Sequence, residues 1–313
     1  MKGEDLKVFK LFLEIAGISK ERIEFHAKNF ENSNVTMEEY SQKMVVEECE
    51  TLFLKRILMR FSKVYDDPFL RKRIQGAIEK GIPPAIKGDF HVHTNWSDGT
   101  YELESYVKKA EEFGYKYISV SDHSLVNKGT VQMDERKFLK QMEYVDELQK
   151  NTPLRIFKSV EIDVNEDGTL DYPTEILEKA DFVLGAVHFD YSKGKEKAFE
   201  LLKVLIQNKV VKIIAHPLNK IGGDFFKAHL EEVVQLVKEN KKVLEISLVP
   251  DRIRESDFLV ENLKGRGVKF SFGSDSHSVK QLELMALSNL WINELNTNDI
   301  ANFYEEPLEF FER

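Results

Sequence analysis

At 313 residues, 42% hydrophobic and 32% charged, the chain has enough material for one α/β barrel of roughly 200 to 250 residues plus a small appendage. Its 54 acidic against 45 basic residues, a formal charge of -9, argue against a broad basic face for duplex nucleic acid while leaving room for a local groove, and no apolar stretch approaches the roughly 18 residues of a membrane span. Cys49 is the one cysteine, which rules out an internal disulfide or a thiolate cluster, so any metal must be held by nitrogen and oxygen. The opening MKGEDLKVFK has no signal-peptide apolar run, and the expected compartment is the cytoplasm.

In chain order, residues 5–16, 37–63 and 67–80 carry apolar side chains at three- and four-residue spacing and are predicted helices. Thr36 with Glu39 forms a capping-box pattern at the second, and Gly81-Ile82-Pro83-Pro84 stops the third. Residues 1–84 therefore read as a helical N-terminal extension, a cap or oligomerisation element with one histidine, His26, and no Gly-rich phosphate loop. From residue 85 onward, short β-branched runs alternate with amphipathic helices, the pattern of parallel α/β units. Seven strands are predicted at 88–93, 116–121, 155–162, 181–187, 211–215, 243–248 and 268–273. Ala286 to Asn293 is either an eighth strand or a closing segment.

The polar residues of this second region gather at one end of the strands. His91 and His93, two apart on a strand, share a face and converge. Asp98 follows them, then Asp122-His123 after the second strand, Glu161 and Asp163 on the third and His188 after the fourth. His216 comes after the fifth and Asp275 with His277 after the seventh. Six of the eight histidines thus sit on the carboxyl-end rim, where barrel enzymes build their sites. So many nitrogen and oxygen donors, buried together, call for cations to coordinate. Asp122 is placed either to orient a ligand imidazole or simply to end a strand, and Asp163 is a candidate support for the site. Trp96, Phe189 and Tyr191 are placed either to stack on a substrate ring or to pack. Arg252 and Lys220, in loops after the sixth and fifth strands, are candidate phosphate contacts.

Taken in order, HVHTNWSDGT, SDHS, VEID, VHF, AHP and SDSH resemble the PHP family, named for polymerase and histidinol phosphatase. The resemblance spans about residues 88–295. It lies nearest to the PHP domain of bacterial family X DNA polymerases, through VEIDVNEDGTLDYP at 160–173 and Pro250-Asp251-Arg252. It implies a distorted (β/α)7 barrel over residues 85–313 holding two to three divalent ions, zinc, manganese or iron. By the same resemblance His91, His93, Glu161 and Asp275 would hold the first ion and Glu161, His188 and His216 the second. Asp98, which stands where many relatives have histidine, would hold the third with His123 and His277. Glu161, His188 and Asp275 are the residues assigned to catalysis. Lys220-Ile221-Gly222-Gly223 departs from the arginine that polymerase-attached relatives often carry nearby.

Two cations about 3.5 to 4 Å apart generate hydroxide at neutral pH and bind phosphoryl oxygens. The expected activity is therefore metal-dependent phosphoric ester hydrolysis of a small phosphomonoester, nucleotide-like or histidinol-phosphate-like, by metal-activated hydroxide. The alternatives are a 3′-5′ exonuclease on single-stranded DNA ends, which would make single-stranded nucleic acid a partner, and a non-catalytic metal-stabilised scaffold.

Overall fold

The computed structural model describes residues 20–33, 67–125, 133–188 and 194–312, together with residues 6, 9–11, 13–14, 18, 39–40 and 64. Among the described residues eight short strands run parallel: β1 (Gly88–Asp89), β2 (Tyr117–Val120), β3 (Arg155–Lys158), β4 (Glu161–Asp163), β5 (Val183–Ala186), β6 (Val211–Ile214), β7 (Val243–Ser247) and β8 (Lys269–Gly273). They form one sheet in the order β1-β2-β3 and another in the order β4-β5-β6-β7-β8. β3 and β4 are the two halves of the single predicted third strand. The break between them is spanned by Ser159 N–H donating back to Val120 O (3.0 Å) and by Leu184 N–H donating to Val160 O (3.0 Å). At the opposite seam Val92 bridges Ser276, with His93 N–H donating to Ser276 O at 2.7 Å. The strands thus make a distorted seven-rung ring, as the sequence pattern predicts.

Helices cover the ring because each connection must return the chain to the start of the next parallel strand. They are α1 (Lys20–Glu31) and α2 (Pro68–Glu79) before the ring, then α3 (Leu103–Glu112), α4 (Glu135–Gln149), the one-turn α5 (Thr174–Leu177) and α6 (Lys195–Gln207). α7 (Gly223–Ala228), α8 (Leu230–Glu239), α9 (Ile253–Leu263) and α10 (Pro307–Glu312) are the rest among the described residues. α2 starts where Asp67 accepts hydrogen bonds from Phe69 N (3.0 Å) and Leu70 N (3.1 Å), with Pro68 in the first turn. α10 brings Phe310 and Phe311 to the amino-terminal ends of the strands, where Phe311 lies 5.7 Å from Phe90 and 5.3 Å from Phe182, centroid to centroid. These rings, with Tyr117, Phe157, Leu184, Ile213 and Val243, form an apolar plug. One end of the barrel is therefore packed with aromatics, and the polar residues are left to the other.

Two sequence expectations change. α1 was not among the predicted helices, although Ile23, His26, Ala27 and Phe30 bury one face at helical spacing. Ala286 to Asn293 is not a strand: it lies largely within a 3-10 run, Val279–Leu290. Apolar residues there bury in consecutive positions, and Asn289 Nδ2 donates to Gly81 O (2.7 Å) at the end of α2, so the segment packs under that helix instead of entering the ring. The predicted helix 37–63 and Thr36 lie outside the described residues except for 39–40. Among the described residues no helix is long and apolar enough to cross a membrane.

α2 is tied to the barrel by Arg73, whose guanidinium grips Asp257 through two bonds of 2.7 and 2.8 Å while Trp291 Nε1 donates to the same carboxylate at 2.8 Å. Both charged partners are partly exposed, which limits the pair. Arg73→Ala is expected to lower unfolding free energy by about 1 kcal/mol, read as a shifted urea midpoint at constant slope. An unchanged midpoint would show the grip to be energetically neutral.

Candidate metal centre

Nine side chains converge at the open end of the ring. His91 and His93 continue from β1, and Asp98 sits on the loop after them. His123 follows β2 and bridges, backbone to backbone, to Glu161 at the start of β4. His188 follows β5, His216 follows β6, and Asp275 and His277 follow β8. His216 (φ 30°) and Asp275 (φ 51°) both occupy the left-handed region. Such a backbone costs on the order of 1–3 kcal/mol at a non-glycine residue and persists where the surroundings over-determine it. Here it turns two donors inward.

The donors fall into overlapping groups: His91, His93 and Asp275; His91, Glu161 and His216; His123, Glu161 and His188; and His93, Asp98, His123 and His277, with the ligand atoms of each group all within 4.8 Å of one another. Glu161 divides its two oxygens. Oε2 lies 3.4 Å from His91 Nε2, 3.6 Å from His93 Nε2 and 2.9 Å from His123 Nδ1, while Oε1 lies 2.8 Å from His216 Nε2 and 3.6 Å from His188 Nε2. Asp275 Oδ1 completes the first group at 3.1 Å from His93 Nε2 and 3.6 Å from His91 Nε2. Asp98 Oδ1 faces His277 Nε2 (3.3 Å), His123 Nε2 (3.8 Å) and His93 Nδ1 (3.9 Å). His93 is thus common to two groups, its ring stacked between those of His277 and His123 with centroids 4.3 and 4.4 Å away.

These spacings fit divalent ions. Metal–nitrogen and metal–oxygen bonds near 2.1 Å place neighbouring ligands roughly 3.0 to 3.4 Å apart, and the donor separations in the first two groups fall around that range. His91 Nε2, both nitrogens of His93 and Glu161 Oε2 are buried without a hydrogen-bond partner, a costly arrangement for polar atoms. The all nitrogen and oxygen donor set suits zinc, manganese or iron.

Three of the imidazoles are also held from behind, through the nitrogen turned away from the cluster. His188 Nδ1 donates to Asp163 Oδ1 (3.0 Å), the support expected of Asp163, and His277 Nδ1 donates to the Asp275 carbonyl (2.8 Å). Two supports escaped the sequence reading. Glu245 on β7 accepts from His91 Nδ1 at 2.8 Å, and Asp89 on β1 accepts the His91 N–H at 3.1 Å and the Ser274 hydroxyl. The available signal was an acid inside an otherwise apolar strand, since carboxylates are rarely buried unpaired.

Asp122 orients no imidazole. Its carboxylate accepts from the backbone and hydroxyls of Thr94 and Ser97 and from Gln141 Nε2, pinning the loop that carries Asp98. Asp122→Asn turns an amide N–H2 toward these donors. The expected result is about 2 to 4 kcal/mol of lost stability in a denaturant melt, together with weakened binding of the cation nearest Asp98. Arg252, buried, donates from Nη1 to Asp275 Oδ2 at 2.8 Å. Lys220 stands in the loop after His216 with φ 73°. Trp96 packs on Tyr144, centroids 5.8 Å apart, which favours its packing role. Phe189 and Tyr191 lie outside the described residues.

The cluster sets its own protonation. Burial first, then the charges of neighbouring imidazoles for His93 and of Arg252 for His216, push both rings down to about 3, so they are neutral donors. At His188 and His277 burial also favours the neutral ring but is outweighed, by Asp163 and Glu161 in one case and Asp98 in the other, which raises both to about 9. Burial works against ionised Glu161 and Asp275 too, yet His91 and its neighbours hold both carboxyls well below the ordinary range.

A parallel α/β ring thus carries a buried, multi-group nitrogen and oxygen donor cluster, able to hold metal ions, at its carboxyl end. Residues 89–248 match the family model of the PHP domain, and the chain belongs to the PHP family. It is 29% identical over 206 residues to the DNA polymerase/3′-5′ exonuclease PolX of Bacillus subtilis, covering 64% of this chain and 36% of that protein. It is 32% identical over 200 residues to a probable phosphatase of Thermoanaerobacter sp., covering 60% of this chain and 78% of that one. Among solved structures, the histidinol phosphate phosphatase of Lactococcus lactis, complexed with zinc, L-histidinol and phosphate, superposes with a TM-score of 0.50 at 19% identity. The match covers 66% of this chain and 93% of that one, a likeness of fold.

Proposed function

We propose that the protein hydrolyses a small phosphomonoester of the nucleotide or histidinol phosphate kind, within the barrel of residues 85–313, with residues 1–84 as a helical extension. The observation that carries this reading is the division of Glu161 between two donor sets, Oε2 toward His91 and His93 and Oε1 toward His216 and His188. Two to three divalent ions, zinc, manganese or iron, held by His91, His93, Asp98, His123, Glu161, His188, His216, Asp275 and His277, would supply acidified water and positive charge against the phosphoryl oxygens.

The chain's own residues do the rest. Glu161, His188 and Asp275 fix the geometry at the reacting phosphorus. Arg252, anchored through Nη1 on Asp275, has further N–H groups to offer a phosphoryl oxygen, and Lys220 adds charge at the same rim. Ser274 and Ser276 are fully buried, with Ser274 Oγ turned to Asp89 and to the Ser276 hydroxyl. Water then attacks phosphorus directly, the bond to the leaving oxygen breaks, and that oxygen takes up a proton. Rapid-quench experiments are expected to show no phosphoenzyme burst; a burst would overturn direct attack. The single cysteine and acidic balance support a cytoplasmic setting.

The second reading is 3′-5′ exonuclease action on single-stranded DNA, favoured by the similarity to the Bacillus polymerase. Purified protein loaded with Mn2+ is to be assayed against phosphomonoesters and a labelled oligonucleotide. Release of inorganic phosphate from the former supports the monoesterase, and release of mononucleotides from the latter supports the exonuclease. Full cation loading without either activity would leave a scaffold.

A further inference from the structure

We infer that Glu245 is a positioning residue that sets the cation affinity of the His91 group, and that Gly273 is glycine to make room for it. This rests on the metal-centre reading above and adds to it a determinant outside the nine donors. Glu245 lies in the middle of β7, 1% exposed, where an ionised carboxylate is expensive unless it has a dedicated partner. Its Oε2 takes the His91 Nδ1–H at 2.8 Å, which leaves Nε2 of the same ring to face Glu161 Oε2 and Asp275 Oδ1. A histidine whose far nitrogen donates to a carboxylate is locked in one tautomer and one ring orientation and becomes a stronger donor at the near nitrogen.

The neighbouring strand is shaped around this carboxylate. β7 and β8 pair with Glu245 beside Ser271 and Ser247 beside Gly273. A Cβ at Gly273 would sit 2.7 Å from Glu245 Cδ and 2.7 Å from Oε1, closer than any packed pair allows. The φ of Gly273 is not among the positive values, so the turn chemistry of glycine does not explain its presence. The space it leaves is filled by the Glu245 carboxylate. A barrel core would ordinarily fill such positions with branched apolar residues; here a glycine and a charged side chain stand together beneath His91.

The test measures cation binding directly. Metal-stripped wild type, Glu245→Gln, Gly273→Ala and the double variant are titrated with Zn2+ against a chromophoric competitor, with elemental analysis of the loaded samples. Glu245→Gln keeps the shape and removes the charge, and is expected to weaken one cation equivalent roughly 10- to 100-fold while the others bind as before. Gly273→Ala, with Glu245 intact, is expected to weaken the same equivalent by displacing the carboxylate. The double variant should be no weaker than Glu245→Gln alone, because both changes break one interaction. Wild-type affinity in Glu245→Gln, or losses that multiply in the double variant, would overturn the inference. If one variant fails to fold, the other still decides. A wild type that takes up no cation would sink the underlying metal-centre reading instead, so the two failures are distinguishable.

Discussion

Replacing Glu161 with glutamine is expected to lower kcat/KM for phosphate-ester hydrolysis by about 10³-fold or more, equivalent to about 4 kcal/mol of transition-state stabilisation. Glutamine matches the size of the side chain but has one oxygen where glutamate has two. In the native cluster Oε1 serves His216 and His188 and Oε2 serves His91, His93 and His123. An amide N–H2 turned toward either set would face atoms that themselves need to donate electron pairs to a cation. One of two adjacent sites therefore loses its shared ligand, and the sample should carry fewer ions by elemental analysis. The loss should fall mainly on kcat, since Arg252 and Lys220 remain to bind phosphate. Turnover within tenfold of wild type, at full cation content, would remove Glu161 from the chemistry.

The site was legible in the sequence because its donors come in short strings whose spacing carries geometry. His91 and His93 lie two apart on the run that continues β1, and Asp275 and His277 lie two apart just after β8. The parallel α/β pattern then places all the strand ends on one rim. The supports were harder to read because their partners are remote. Glu245 meets His91 across the barrel interior, 154 positions earlier in the chain, and the run VLEIS shows an acid in a buried strand but not the partner it serves. Asp122 stayed open between an imidazole partner and a plain strand end for the same reason: its partners Thr94, Ser97 and Gln141 arrive from the first rim loop and from α4. The break of the third strand at Ser159-Val160 also has no local signature. It arises because one residue must pair back to β2 and the next onward to β5, a demand of ring closure. The 3-10 run over Val279–Leu290 defeated periodicity because its apolar residues bury on all sides.

Stripping the cations is expected to lower the melting temperature by roughly 10 to 15 °C at neutral pH. Each ion held at a hundredfold excess over its Kd adds about 2.7 kcal/mol to the folded state, and a chain of this size moves about 2 °C per kcal/mol. The pH dependence has a definite sign. In the cation-free protein His188 and His277 are raised to about 9 from the ordinary 6.5. Their contribution to stability is full below pH 6.5 and is lost as pH rises through 9. His93 and His216, pushed down to about 3, act oppositely: their contribution is present above pH 6.5 and is lost as pH falls toward 3. The stripped protein should therefore be most stable near pH 6.5 and weaken toward pH 9. Cation binding needs neutral rings, so it must expel protons from His188 and His277, and it strengthens over the same interval. The gap in melting temperature between Mn2+-loaded and chelator-treated protein is thus expected to widen from pH 6.5 to 9 in scanning calorimetry. A gap that narrows with rising pH would mean these two histidines do not give up protons to ions, and that the cluster is held together by its own ion pairs.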